Sequence, residues 1–262
     1  MNLRKTIKRL LYDRCPLTSG SFPYFGVKTY FPPRSLSFHA ACDQGIFEQS
    51  NVHLLQSLVR PGTTMFDVGA NIGLMAIPIL KFQPNCRVVS FEPSENVLPS
   101  LRRTISESPF RDRWQLVEMA ATSIEGSVEF SLSPKTESLY DGLRNTRRST
   151  SSATTTVAAT TIDAVWRSLG KPEVSAIKCD VEGADLDVLQ GAHECLQATN
   201  AAVLIEWNAT NLAAYGREVF EIIGFAHRAG YRLFAVPGYT EVTDGLMLRL
   251  QMLETESFLL AK

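Results

Sequence analysis

Past about Pro61 the chain alternates short apolar runs with amphipathic segments, and several of the runs close on an acidic residue. Few folds accept that rhythm. A short apolar run suits a strand buried on both faces, and an amphipathic stretch suits the helix that covers it. Their regular exchange builds a parallel sheet flanked by helices. The runs are Thr63–Val68, Cys86–Phe91, Trp114–Met119, Val174–Cys179, Ala202–Ile205 and Tyr231–Val236, with Ser257–Ala261 as a final strand. The spacing predicts helices over Ile72–Lys81, Asn96–Ile105, Thr161–Leu169, Asp185–Leu196 and Glu218–Ala229, the last closed by Gly230. Pro78 should bend or shorten the first helix, and Pro99 is tolerable only in the first turn of the second. Thr160 or Thr161 caps the third. Ser127–Leu132 alternates cleanly, as a half-exposed added strand does, and the second half of the Ser/Thr-rich tract Ser149–Thr161 reads as a strand as well. Between them, residues 133–152 read as loop. Their Arg144, Arg147 and Arg148 form either a solvated basic surface or a contact for an anionic acceptor.

Composition removes several function classes. With 26 basic against 27 acidic residues and 45% hydrophobic content, the 262-residue chain is neither globally disordered nor a general nucleic-acid binder, which needs a basic surplus. No apolar run reaches the roughly 18 residues of a membrane span. At the N-terminus Arg4, Lys5, Lys8 and Arg9 alternate with Leu3, Ile7, Leu10 and Leu11, and Tyr12-Asp13-Arg14 interrupts any continuous signal-like stretch. An amphipathic surface helix fits, with reversible contact to an anionic membrane as the alternative. The five cysteines are scattered without a CxxC pair, so neither a disulfide framework nor a zinc ribbon is expected, and a reducing, cytoplasmic setting is. Six aromatics between Phe22 and Phe38 mark a segment that packs across the sheet or walls its site.

In an open parallel sheet, ligands bind beyond the carboxyl ends of the strands. Those ends carry Asp67-Val68-Gly69-Ala70-Asn71-Ile72-Gly73, then Glu92, then Asp180-Val181-Glu182-Gly183, then Glu206-Trp207-Asn208. The first turn departs from GxGxxG, because Asn71 stands where a dinucleotide site keeps a glycine for pyrophosphate, and no Walker A motif follows. Glu92, nineteen residues past Gly73, stands at the distance from which an acid grips ribose hydroxyls. A ribose-bearing ligand without phosphates satisfies both facts, and S-adenosylmethionine is such a ligand. Asp67 and Asn71 would then face its cationic amino-acid end.

Pro61 to Gly73, Phe91-Glu92-Pro93 and Ile177 to Asp185, followed by Leu189-Gln190-Gly191-Ala192, resemble the FkbM-type S-adenosylmethionine-dependent methyltransferases. The likeness spans about Pro61 to Ala261, with weaker blocks at Glu118–Ala121 and Thr161-Ile162-Asp163, and Pro78 departs from it. It implies an α/β, Rossmann-like class I methyltransferase fold: a mostly parallel seven-stranded sheet with an antiparallel last strand, over 61–262. Residues 1–60 become an extension that packs on the core or covers the site. Asp67, Gly69, Ala70, Asn71 and Gly73 would surround the methionyl part, Glu92 and Pro93 the ribose, and Met119 and Ala120 the adenine. The reaction implied is O-methylation of a hydroxyl on a sugar, glycan or small natural product. The same fold also serves nitrogen and carbon methylation, and a binding module that has lost transfer is a further alternative.

Methyl transfer from a sulfonium depends chiefly on alignment, and an aliphatic hydroxyl must also lose its proton. Asp180 and Glu182 are the candidate bases, against the plainer readings that Asp180 orients the cofactor and Glu182 caps the next helix. Asp180, Glu206 and Asn208 are an oxygen set that a divalent metal accepts, second to their reading as acids at an exposed sheet edge. The four histidines lack paired ligand spacing. His39 and His53 lie where they could approach the site, whereas His193 and His227 read as surface residues.

Overall fold

The computed structural model describes residues 3–15 and 20–262, so Met1 and Asn2 of the expected N-terminal helix lie outside the described residues. Helix α1 (Leu3–Arg9) runs into a wider turn over Leu10–Arg14 that leaves Leu10 and Leu11 exposed. A hairpin of β1 (Ser21–Tyr24) and β2 (Val27–Tyr30) precedes α2 (Leu36–Gln44) and α3 (Gln49–Leu58). Ser35 caps α2, its side chain accepting from the Phe38 N–H at 3.3 Å.

The alternating units follow as β3 (Thr64–Val68), α4 (Ala76–Phe82), β4 (Arg87–Phe91), α5 (Leu98–Glu107) and β5 (Trp114–Val117). Pro78 shortens the first of these helices without kinking it. The helix starts at Ala76, so the proline falls in the first turn, where its missing N–H has no intrahelical partner to lose. Pro99 likewise sits at the start of α5.

Next, β6 (Ala120–Ala121), β7 (Gly126–Leu132) and β8 (Ala153–Thr160) build a separate sheet in the order β6-β8-β7. The alternating Ser127–Leu132 run therefore pairs with the threonine-rich strand and is not an edge of the main sheet. Helix α6 (Ile162–Ser168) begins on Thr161, whose Oγ1 accepts from the Ala164 N–H at 3.0 Å, and β9 (Val174–Cys179) follows.

One helix expected over Asp185–Leu196 is instead two, α7 (Asp185–Gln190) and α8 (His193–Thr199). The break is made by distant parts of the chain. Asp163 accepts from the Glu194 and Cys195 N–H groups at 2.9 and 2.8 Å, capping the restart, and Gly191 presses its Cα against the chain at Thr122. The remaining elements are β10 (Ala202–Glu206), α9 (Ala209–Ala214), α10 (Glu221–Ala229), β11 (Arg232–Ala235), β12 (Thr240–Glu241), α11 (Gly245–Gln251) and β13 (Ser257–Ala261).

The main sheet has the order β12-β11-β13-β10-β9-β3-β4-β5, with β13 antiparallel to both neighbours. It has eight strands where seven were expected, the extra one being the two-residue edge strand β12 hairpinned onto β11. Every residue of β3 and β9 is buried, as a strand covered on both faces requires. Phe66, Val68, Ile177 and Val203 face α6, α7, α8 and α10, while Met65, Val88, Ala176 and Leu204 face α3, α4 and α5. Phe22, Tyr24, Phe31 and Phe38 join the second cluster, with the Phe31 and Phe38 rings stacked 3.9 Å apart. The order turns back between β3 and β9, which opens a crevice at their carboxyl ends. Among the described residues no helix is long and apolar enough to cross a membrane.

Gly191 has an ordinary backbone conformation, so space alone requires it: an added Cβ would lie 2.1 Å from the Thr122 carbonyl oxygen. Gly191→Ala should cost about 2–3 kcal/mol of stability in urea titration, and a loss below about 0.5 kcal/mol would contradict that packing.

Candidate active site

The crevice holds two adjoining clefts, of about 540 and 400 Å³, that share Gly69, Glu92, Asp141 and Asp180. The first is walled by Ala70, Asn71, Met75, Lys178 and Glu182, and by Ser37 and Phe47 from the N-terminal segment. The second is more apolar, walled by Phe91, Pro93, Ala120, Ala121, Phe130 and Leu143. The loop between β7 and β8 roofs both through Ser138, Leu139, Asp141 and Gly142.

Glu92 sits where the clefts meet and is 6% exposed. One carboxylate oxygen accepts from the Asn71 N–H at 2.8 Å and the other from the Ser94 N–H at 2.9 Å. Burial pushes its carboxyl up to about 7, against the lowering effect of those two N–H groups. Each oxygen keeps a lone pair for a further donor.

The glycine turn is shaped by the protein around it more than by a ligand. Gly69 has φ +74°, and a Cβ there would lie 1.9 Å from the Asp180 carbonyl oxygen. A Cβ on Gly73 would lie 2.7 Å from the Trp114 ring, so this glycine packs beneath the turn and lines neither cleft. Asn71 lines the first cleft, yet its side chain is taken: Oδ1 accepts from Ser37 Oγ at 2.7 Å, and Nδ2 donates to the Ser138 carbonyl at 3.4 Å. Asp67 lies below the cleft, fully buried, accepting from Ser90 Oγ at 3.4 Å and 4.0 Å from Lys178 Nζ. It therefore faces the lysine and not the space where the amino-acid end was expected. Met119 is exposed and lines neither cleft, whereas Ala120 does line the second.

Lys178 is the residue that sequence reasoning passed over. Its ammonium is buried, donates to the Gly69 carbonyl at 3.0 Å and lies 3.3 Å from Asp180. Burial disfavours the charge, but Asp180, Asp67 and Glu48 outweigh it and raise the group above the usual lysine value. A lone cation inside an apolar run that ends on an acid was the available signal.

Asp180, Glu182 and Glu206 bring one oxygen each within 4.8 Å of one another. Glu182 does not cap α7. Its backbone is left-handed at φ +55°, and its carboxylate meets Arg148 at 3.1 Å. Burial, then the Asp180 charge, push Glu182 up to about 8, with Arg148 opposing. Burial, followed by Asp180 and Glu182, also raises Glu206 well above the usual carboxyl value. Asn208, expected in a metal set with Asp180 and Glu206, instead caps α9 by accepting from the Asn211 N–H at 2.8 Å. Glu182 takes its place in the cluster, and Arg148 supplies a positive charge beside it. His39 is held by Asp13 at 3.2 Å, His53 is exposed, and neither lines a cleft.

Comparison with known proteins places the chain in a family. A family model described as the methyltransferase FkbM domain matches residues 67–233, nearly two thirds of the chain. The chain belongs to the FkbM methyltransferase domain family. It is similar to the hexuronic acid methyltransferase AglP of Haloferax volcanii, 26% identical over 157 residues that make up 60% of this chain and 61% of that protein. The FkbM-family chain thus spans about three fifths of that relative's length. Among solved structures, it is similar to a methyltransferase FkbM from Methylobacillus flagellatus at 18% identity and TM-score 0.49, covering 87% of this chain and 53% of that one. A methyltransferase from Geobacter sulfurreducens aligns at 15% identity and TM-score 0.46, covering 86% and 85% of the two chains.

Glu92, Glu182 and Asp185, the last pushed up to about 7 by burial and then by Asp180, all hold their protons to higher pH when folded than carboxyls of an unfolded chain do. The native state binds the extra protons between about pH 5 and pH 8, so stability is greatest at the acidic end of that window and falls as pH rises through it. The thermal midpoint of the ligand-free FkbM-family chain should therefore rise by roughly 2–4 °C or more on moving from pH 8 to pH 6. A midpoint that falls over that interval would contradict these burials.

Proposed function

We propose that the chain is an S-adenosylmethionine-dependent methyltransferase that methylates a hydroxyl of a sugar or a small natural product. The observation that carries this reading is Glu92 at the junction of two connected clefts over the switch point of the sheet, with Asp180 on their shared wall. The name of the relative from Haloferax volcanii supports a sugar acceptor.

The residues present suit the cofactor. Glu92 keeps acceptor capacity toward the clefts, as a vicinal diol needs, and Ala120, Ala121, Phe130 and Leu143 offer apolar walls to a flat ring. When bound, S-adenosylmethionine supplies a methyl carbon already activated by its sulfonium. What remains for the chain is alignment and proton removal. Asp180, held by Lys178 at 3.3 Å, takes the proton from an acceptor hydroxyl placed on its open side. Glu182 and Glu206 crowd the same space, and burial together with the Asp180 charge raises both carboxyls above the usual range.

Calorimetry of S-adenosylmethionine against the full chain tests the reading. The protein should bind it, and Glu92→Ala should weaken binding tenfold or more, about the worth of hydrogen bonds to a charged group. No binding to the unmodified chain, or binding unchanged by Glu92→Ala, would sink the assignment.

A further inference from the structure

A third cleft, of about 730 Å³, lies on the other side of Asp180. Its floor is the carboxyl ends of β9 and β10, at Lys178, Cys179 and Asp180 and at Leu204, Ile205 and Glu206. Glu48 and Asn51 wall it from the start of α3, and the segment Glu254–Ser257 walls it where the chain enters β13. It shares Met75, Lys178 and Asp180 with the first cleft, so a molecule held there meets the same carboxylate that faces the cofactor side.

We propose that this cleft is the acceptor site and that it selects a cationic, amine-bearing hydroxyl compound of the amino-sugar class. The proposal rests on the methyltransferase reading above. Five carboxyl side chains line the space, Glu48, Asp180, Glu206, Glu254 and Glu256. The one cation among the lining residues is Lys178, and it is already spent on the Gly69 carbonyl, Asp180 and Asp67. Arg148, outside the lining, meets Glu182 at 3.1 Å and lies over the Tyr140 ring at 4.7 Å, and its charge also reaches Glu206 and Glu256, which leaves Glu254 as the rim acid with no cation assigned to it among the described residues. Glu254 and Glu256 stand exposed at the rim and form no salt bridge among the described residues. A carboxylate brought by a uronic acid would enter this field against every fixed charge not already neutralised. An ammonium would be drawn in. Burial, followed by the Asp180 charge, raises the carboxyls of Glu48 and Glu206, and the ammonium would offset the second of these. Asn51 spends its Nδ2 on Glu48 and on Ser257 Oγ, and Thr255 Oγ1 donates to the Val236 carbonyl, which leaves the Ser257 hydroxyl as a donor and Asn51 Oδ1 as an acceptor for a hydroxyl of such a molecule. The acceptor preference of this chain thereby differs from the one in the name of the Haloferax volcanii relative.

The test uses the full chain saturated with S-adenosylhomocysteine and three matched probes, the methyl glycosides of glucosamine, glucose and glucuronic acid, with affinities read by saturation-transfer NMR and calorimetry. The glucosaminide should bind at least fivefold tighter than the glucoside, and the glucuronide weakest. In a Glu254→Gln, Glu256→Gln double variant the amine-to-uronate ratio should fall by about two- to fivefold per removed charge, with glucuronide binding tightened, a gain that a misfolded chain does not show. A glucuronide that binds as well as the glucosaminide, a ratio unmoved in the double variant, or binding of none of the three to the S-adenosylhomocysteine complex would overturn the acceptor assignment. Failure of the unmodified chain to bind S-adenosylhomocysteine itself would instead overturn the cofactor reading beneath it.

Discussion

A single buried ammonium organises the strand ends. Lys178 reaches the carbonyl of Gly69 and sits among Asp67, Asp180 and Glu48, so it joins the turn after β3 to the end of β9. An isolated charge at that depth would cost several kcal/mol, and the surrounding acids are what make its burial tolerable. The same contact requires glycine at position 69, because the turn is drawn so close to Asp180 that a Cβ would meet its carbonyl. The clefts that meet at Glu92 and Asp180 are the space left around this knot.

Charge is distributed by the same logic. The chain as a whole is nearly neutral, at a formal charge of −1, yet Glu48, Asp180, Glu206, Glu254 and Glu256 gather at one edge of the sheet. Asp180, Glu182 and Glu206 stand so close that like-charge repulsion adds to burial in raising the glutamates. Lys178 beside Asp180 and Arg148 beside Glu182 offset part of this. The N-terminal segment completes the walls: its aromatic residues anchor it to one face of the sheet, and that anchorage carries Ser37, Phe47, Glu48 and Asn51 to the clefts.

The strands were legible because burial on both faces leaves continuous apolar runs, and Val174–Cys179 matches residue for residue. Thr161 could be read as a cap because capping is local. The break at Gly191 was not legible, since it depends on Thr122 and Asp163, far away in sequence. The site divides in the same way. The place of Glu92 at its strand end was legible from its spacing from the turn, a consequence of one βαβ unit. Asp67 was misplaced because alternation within β3 turns it under the sheet edge toward Lys178, which only the neighbouring strand supplies. Asn208 was exchanged for Glu182 in the acid cluster for a similar reason: a left-handed residue and an arginine from the roofing loop decide where that carboxylate points.

The central claim is that the strand-end crevice holds an adenosyl ligand with its ribose on Glu92 and its sulfur turned toward Asp180. A crystal structure of the complex with S-adenosylhomocysteine tests it most directly. Both ribose hydroxyls should lie within hydrogen-bond distance of the Glu92 carboxylate, with the adenine against Ala120 and the sulfur nearer Asp180 than any other carboxylate. A ligand seated elsewhere, or one whose ribose is held by a different residue while Glu92 keeps only its two backbone N–H groups, would contradict the account.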